Sequence, residues 1–473
     1  MAKRVLFAAS EVYPFAKTGG LADVAHSLPK ALCSRYDVHV VLPLYRSIDR
    51  DKYDITLLNE PFNIEMGGVE YTIEIYGCLF EGVECRFVYA PLLCERDYLY
   101  GPPECGYEDN ALRFGLFSHV LAALIRSEHY DILHLNDWQC ALAALLIRED
   151  PTIPTKTLYT IHNLAYQGIF EADVLGQIGI NSGYMTMDAL EFHGKVNFMK
   201  AGIAYSDTIT TVSPNYAKEI LTHEFGCGLE GFIEFHRPKL QGILNGIDSE
   251  HFSPMSDTAL VSTYKNVKGK KASKSDILKH FGLKGATKPL FVFIGRFTGQ
   301  KGIDLLIETL PKMAALECNI AILGDGEEEY HTALNAITQS YKNVSLYMGY
   351  DEALSHRMYA ASDFLLMPSL FEPCGLNQMI AFAYGSLPVV HRVGGLADTV
   401  KKFENYKEGS SAGYGIVFNS PTTRALYAAV QKACELYVDK KRFDEIANHN
   451  MGCDFSWSES AKIYSRLYES ISK

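Results

Sequence analysis

The sequence predicts an α/β protein of two successive domains, each built on a parallel sheet. Three observations predict it. The chain has 473 residues, more than one compact core normally holds. From Val5 onward, short apolar runs alternate with stretches of helical spacing. A second such series starts at Leu290, after a polar, lysine-rich stretch. In both series, glycine-rich or polar segments follow the strands. Open α/β sheets collect ligands at that edge.

Composition narrows the function classes. Hydrophobic content of 48% and charged content of 21% are globular values. A net charge of -12 argues against a nucleic-acid partner, yet leaves room for a local basic pocket. The 11 cysteines are odd in number and show no C-x-x-C, so a reduced, cytoplasmic chain is expected. Met1–Arg4 runs directly into a strand, and no run of about 18 apolar residues is present. Neither a signal peptide nor a membrane partner is expected.

The first strand is Val5–Ser10. Lys17–Thr18–Gly19–Gly20 follows, a glycine turn carrying a cation. Leu21, Val24, Ala25, Leu28, Ala31 and Leu32 then predict a helix over 21–33. Val38–Pro43 is the second strand. Residues 51–98 read as hairpins over Ile55–Leu58, Tyr71–Tyr76 and Cys85–Tyr89. Asp49–Arg50–Asp51 matches a D-x-D spacing, but in a charged loop it is set aside. Asp109–Ser127 reads as a helix. The strand Asp131–Leu135 ends at Asn136–Asp137–Trp138–Gln139, with a helix from Cys140 to Ile147. The strand Thr157–Ile161 ends at His162–Asn163–Leu164–Ala165–Tyr166–Gln167–Gly168. If the sheet is parallel, Asp137 and His162 share one edge of neighbouring strands. Taken singly, Asp137 reads as a helix cap and His162 as a core imidazole; with Lys17 they read as a site.

Ile209–Val212 is a strand before a helix opening at Ser213–Pro214, and Phe225–Leu229 is glycine-rich. The strand Leu240–Leu244 ends in the turn Asn245–Gly246–Ile247–Asp248. The domain junction is placed near 245–255, and the lysines of 264–275 are read as a solvated surface. The second series runs through Leu290–Ile294, Asn319–Leu323, Val344–Met348, Asp363–Leu366, Leu387–Val390 and Ile416–Phe418. Arg296 and Lys301 stand between the first of these strands and an amphipathic helix, which reads as an anion site. Gly394–Asp398 repeats the GGLAD of Gly19–Asp23 and is read as the same turn-to-helix solution used twice. Helices follow over 422–438 and 440–449. The apolar stripe Trp457, Ile463, Tyr464, Leu467, Tyr468 and Ile471 is expected to return to the first domain.

The organising stretch is Met367–Gln378, reading MPSLFEPCGLNQ. Glu372 lies between a buried strand and a helix over 379–384. The helix start at Gly375–Leu376–Asn377 offers backbone N–H groups to an anion. An acid beside an anion cradle fits a sugar nucleotide.

Taken together, KTGGLADV (Lys17–Val24), NDWQ (Asn136–Gln139), TIHNLAYQG (Thr160–Gly168), NGID (Asn245–Asp248), GRFTGQKG (Gly295–Gly302), FEPCGLNQM (Phe371–Met379) and GGLADTV (Gly394–Val400) resemble the bacterial glycogen synthases and plant starch synthases over the whole length. The resemblance implies two Rossmann-like domains of the GT-B type, facing across a deep cleft: 1–244 on the glucan acceptor side, joined by a helix in 455–473, and 245–454 on the donor side. It implies transfer of glucose from ADP-glucose to the non-reducing end of an α-1,4-glucan, with retention and without a metal or other cofactor. Arg296, Lys301 and Lys17 are then expected to neutralise the diphosphate, with the amides of Gly19 and Gly20 adding donors. Glu372 binds glucose hydroxyls beside Cys374, Gly375, Leu376 and Asn377. His162, Asn163, Tyr166, Asp137 and Asn245 hold the sugar or support its cationic centre, and Tyr350 stacks the base. Cys374 is read as a packed neighbour without chemistry. Three positions depart from the related pattern: Ile380 stands where retaining relatives carry a second Glu, and Asn136 and Gln139 replace frequent histidines. UDP-glucose or a small acceptor is the competing enzymatic reading, and a non-catalytic glucan binder the competing non-enzymatic one.

Overall fold

The computed structural model describes residues 2–102 and 105–472. The chain forms two compact units. One comprises Met1–Val212, Ala217–Asn245 and Trp457–Lys473; the other comprises Ser213–Tyr216 and Gly246–Ser456. Among the described residues no helix is long and apolar enough to cross a membrane.

The first unit is organised by a large sheet. Its order is Leu240–Gly242, Thr208–Thr211, Lys156–Ile161, Ile132–Asn136, Arg4–Ala8, Asp37–Pro43, Val83–Tyr89, Val69–Phe80 and Thr56–Leu57. The first seven of these are parallel, and Val69–Phe80 adds antiparallel to Val83–Tyr89. Strands buried on both faces need no alternation, so the apolar runs at Val5–Ala8 and Ile132–Leu135 were readable as strands. The strand Phe62–Met66, paired with Val69–Phe80, was not foreseen. Its sequence, FNIEM, alternates over only five residues, and two of them, Asn63 and Glu65, are polar.

The helix Trp457–Ile471 belongs to this unit. Its inner face explains why. Tyr468 Oη meets His134 Nδ1 at 2.7 Å, Tyr36 donates to the Ser465 carbonyl at 3.1 Å, and Ser460 donates to the Leu244 carbonyl.

The second unit holds a seven-stranded sheet in the order Val344–Met348, Asn319–Gly324, Leu290–Ile294, Phe364–Met367, Leu387–His391, Gly413–Phe418 and Val400–Lys402. All its pairings are parallel. Leu306, Leu310 and Met313 of the helix Ile303–Ala314 are buried in the core below it, as their spacing predicts. Ser213–Tyr216 groups with this unit because Asp398 accepts from Ser213 Oγ at 2.6 Å and from the Asn215 amide at 2.8 Å. The helix expected from Ser213–Pro214 is only the single turn Tyr216–Glu219.

The lysine-rich stretch is not a solvated surface throughout. Lys270 and Lys274 are buried. Lys270 Nζ donates to the Tyr384 carbonyl, and burial pushes its ammonium down to about 7. Lys274 Nζ reaches Asp363 at 2.6 Å, Tyr437 Oη at 2.7 Å and the Lys288 carbonyl at 2.7 Å. A buried ammonium is tolerable only when its donors are matched, and here Lys274's three donors have three acceptors.

Candidate functional site

In the second unit, the strand order changes direction between Leu290–Ile294 and Phe364–Met367. Numbered along the chain, the strands run 3-2-1-4-5 across that point. The loops leaving those two strands splay to opposite sides and leave a crevice at their carboxyl ends. One loop is Gly295–Gly302, and the other is Pro368–Leu376. The predicted anion site and the predicted acid therefore meet.

Lys301 Nζ lies 2.9 Å and 2.7 Å from the two oxygens of Glu372. Ser369 Oγ donates to Glu372 Oε2 at 2.9 Å. His391 Nδ1 contacts the Ser369 carbonyl at 2.8 Å and fixes that residue's backbone. Glu372 is only 5% exposed, so these donors are what make a carboxylate tolerable there. The two loops are tied again by the Leu370 amide on the Gln300 carbonyl, and Asn377 Nδ2 holds the Ile294 carbonyl. Arg296 is exposed beside them, and Tyr350 is 75% exposed after Gly349.

The second GGLAD acts as a backing plate for the Glu372 loop. Gly394 has φ +44°, and a Cβ there would sit 1.9 Å from the Glu372 carbonyl oxygen. The Gly395 amide donates to that same carbonyl at 3.1 Å. Cys374 is buried against this seam, as expected of a packed neighbour. The helix beyond it, Asn377–Ala383, begins at the last residue of the expected start Gly375–Leu376–Asn377.

The first unit repeats the logic. Its order changes direction between Arg4–Ala8 and Ile132–Asn136, and the segments carrying Lys17–Gly20 and Asp137 leave from there. Asp137 stands at the N-terminus of the helix Trp138–Arg148, but its side chain does not cap it. Oδ1 instead accepts the His162 amide at 2.7 Å. Asp137 holds φ +56°, an uncommon conformation for a side-chain-bearing residue and a form of strain that collects at functional sites. Burial pushes its carboxyl up to about 7, against the His162 and Asn163 amides that pull it down.

His162 is held neutral: burial pushes its imidazole down to about 3. Its Nε2 lies 2.8 Å from Asn136 Oδ1, while Asn136 Nδ2 donates to the Ala8 carbonyl. That amide orientation makes Nε2 the donor and leaves Nδ1 with a lone pair. Asn136, read as a departure from a histidine pattern, is thus what orients His162. Asn163 Oδ1 caps its own turn at the Ala165 amide, and Tyr166 is 54% exposed. Asn245 is buried, and among the described residues its Oδ1 has no hydrogen-bond partner.

Sequence reasoning missed Glu11. Its Oε1 accepts from Thr18 Oγ1 at 2.6 Å and Tyr100 Oη at 2.7 Å; its Oε2 accepts the Thr18 amide at 2.5 Å and the Gly19 amide at 3.1 Å. The Gly19 amide, expected to be offered to a ligand, is therefore committed to Glu11. The signal was its position just past the first strand. Lys17 Nζ lies 2.8 Å from Asp23 of the first GGLAD.

Residues 4–235 match the family model of the starch synthase catalytic domain, and residues 275–449 match glycosyl transferases group 1. A glycogen synthase of Aquifex aeolicus is 43% identical over 99% of both chains. One of Myxococcus xanthus is 41% identical over 99% of both. The catalytic domain of starch synthase IV from Arabidopsis thaliana, solved bound to ADP and acarbose, superposes with a TM-score of 0.92 at 32% identity over all of both chains. A sucrose-phosphate synthase from Thermosynechococcus elongatus shares the fold, with a TM-score of 0.63 at 17% identity over 99% of both.

Proposed function

The chain belongs to the family of glycogen and starch synthases and is a GT-B glycosyltransferase, and from that premise we propose that it transfers glucose from ADP-glucose to the non-reducing end of an α-1,4-glucan with retention. The observation that carries the reading is the Lys301–Glu372 pair at the crevice of the second unit. An ammonium has three N–H donors. Two face Glu372, and the third turns to a phosphate oxygen. The Glu372 carboxylate keeps an acceptor position for a sugar hydroxyl beside its Ser369 and Lys301 bonds. One pair thereby holds both halves of a sugar nucleotide in register.

Arg296 and Lys301 oppose the charge that grows on the diphosphate as the glycosidic bond breaks, where a cation is worth most. Lys17 is assigned to the same diphosphate as a third cation. Tyr350 offers a ring face to the base. His162, neutral with a lone pair at Nδ1, and Asp137, Asn163, Tyr166 and Asn245 serve the sugars. This assigns the donor to the second unit and the acceptor to the first. With three cations opposing the leaving group, the transfer is proposed to need no metal. Retention with a single acid fits front-face attack, in which the leaving phosphate takes the acceptor's proton.

The test incubates the purified protein with ADP-glucose and glycogen in the presence of a chelator, and measures ADP release and incorporated glucose together. Matched values are expected. A large rate preference for UDP-glucose overturns the donor assignment, and glucan binding without nucleotide binding overturns catalysis.

A further inference from the structure

Outside the groups described above, the second unit gathers His251, Glu352 and His356. A ligand-type atom from each lies within 4.8 Å of the others, and His251 Nε2 is 3.4 Å from Glu352 Oε1. Two ligands each about 2.1 Å from one tetrahedral ion stand about 3.4 Å apart. Glu352 and His356 are separated by one turn of the helix Glu352–Ala361 and so share a face. His251 follows the turn at Asp248, whose Oδ1 accepts the amides of Glu250 and His251 at 2.9 Å and 3.1 Å. All three positions are therefore set by backbone structure.

An exposed His–Glu ion pair would account for His251 and Glu352 alone. It does not account for His356. That residue is 4% exposed, and among the described residues its Nε2 has no hydrogen-bond partner. Its Nδ1 lies 2.8 Å from Asp257 Oδ2. Asp257 also accepts from Tyr384 Oη at 2.5 Å and from the Ala259 amide at 2.9 Å. Both Asp257 oxygens already accept from other donors, so toward His356 Asp257 acts as acceptor, Nδ1 carries the proton and the unpartnered Nε2 presents a lone pair. The His251 ring stands edge-on to His356, with centroids 4.9 Å apart, and Phe252 packs on His356 at 5.0 Å.

A carboxylate that fixes the tautomer of an imidazole, whose other nitrogen is bare and buried, is the arrangement that orients a metal-ligating histidine. We infer that His251, Glu352 and His356 form a divalent transition-metal site, of which Zn²⁺ is the best match. Two imidazoles and one carboxylate suit zinc, and they disfavour calcium and magnesium, which take oxygen ligands. The site lies outside the transfer chemistry. It pins the segment that opens the second unit after Asn245 to the helix that begins two residues beyond Tyr350.

The test strips the full-length protein with a chelator, removes the chelator, and titrates ZnCl₂ against a zinc indicator. Visible absorption on CoCl₂ addition is read in parallel. The wild type is expected to bind one equivalent and to show cobalt d–d bands. His251→Ala and Glu352→Gln, both at accessible side chains, are expected to bind at least about tenfold more weakly and to lose the bands. They leave buried His356 in place, so folding is monitored separately by circular dichroism. No zinc uptake by the wild type overturns the proposal. So does undiminished uptake by both variants, which would move the metal to thiols such as the exposed Cys105 and Cys227.

Discussion

Lys301 has two tasks, and they separate by mutation. It opposes the leaving diphosphate, and it also neutralises a carboxylate that is 5% exposed. Lys301→Ala is therefore expected to lower kcat/KM by about 2–4 kcal/mol of transition-state stabilisation and to lower unfolding free energy by about 1–3 kcal/mol, since Glu372 keeps only Ser369. Arg296→Ala removes an exposed cation and is expected to show the rate loss without the stability loss. Urea denaturation beside initial rates reads both, and equal stability of the two variants would dissolve the distinction. Asp137 carries a pH signature. Its folded carboxyl titrates near about 7, above the roughly 3.9 of an unfolded chain, so the folded state binds the proton more tightly. The stability this contributes is complete below about 4 and is lost as pH rises through 7. His162, pushed down to about 3, acts in reverse: its neutral form favours folding above about 6.5, and that stability is lost as pH falls. Subtracting the stability of Asp137→Asn from that of wild type removes the His162 contribution common to both. The difference is expected to decline between pH about 4 and 7 and to be flat above. A difference that does not vary with pH would refute the raised carboxyl.

The two GGLAD segments both open helices, Gly20–Leu32 and Gly394–Thr399, as expected, yet their glycines are not equivalent. At Gly394 an added Cβ collides with the Glu372 carbonyl in a positive-φ backbone; at Gly19 it meets nothing within 4 Å, and φ is -152°. Gly394→Ala is expected to displace the Glu372 loop and to lower turnover at least about tenfold, whereas Gly19→Ala is expected to stay within a few-fold of wild type. Comparable losses in both would mean that the backing-plate role is wrong. The C-terminal helix gives a second case. Tyr468→Phe leaves His134 Nδ1 buried without its partner and is expected to cost about 1–3 kcal/mol, read as a lower urea midpoint at unchanged m-value. The apolar stripe predicted that this helix would be buried; the His134 bond was not legible, because it joins residues 334 positions apart. Lys270 and Lys274 were misread for a related reason. Polar composition signals solvent, and the acceptors that bury these lysines come from Tyr384, Asp363, Lys288 and Tyr437, which no local window contains.

At the scale of the whole chain, what was legible was period and punctuation. Apolar runs gave most parallel strands, and the polar residues just past them gave most of the candidate site, because a parallel sheet puts all such ends on one edge. What was not legible was which ends are neighbours. Lys301 and Glu372 lie 71 residues apart and meet only because Leu290–Ile294 pairs with Phe364–Met367. Glu11 was hidden because its partners Thr18, Gly19 and Tyr100 are assembled by the fold, and His251 with Glu352 and His356 likewise. Strand order also yields the final prediction. Each unit has its own switch point, so each is expected to answer to its own ligand. Hydrogen exchange resolves this peptide by peptide. ADP is expected to slow exchange over 295–302 and 369–377 and to leave 136–139 and 162–168 unchanged. A maltooligosaccharide is expected to do the reverse. A ligand that binds only the native state raises stability by RT ln(1 + [L]/Kd), about 2.7 kcal/mol at a hundredfold excess over Kd. Local opening in the ligated loops should therefore slow by up to about a hundredfold. Protection by ADP confined to 136–139 and 162–168 would exchange the donor and acceptor assignments, because the amides that close around a nucleotide belong to the unit that holds it.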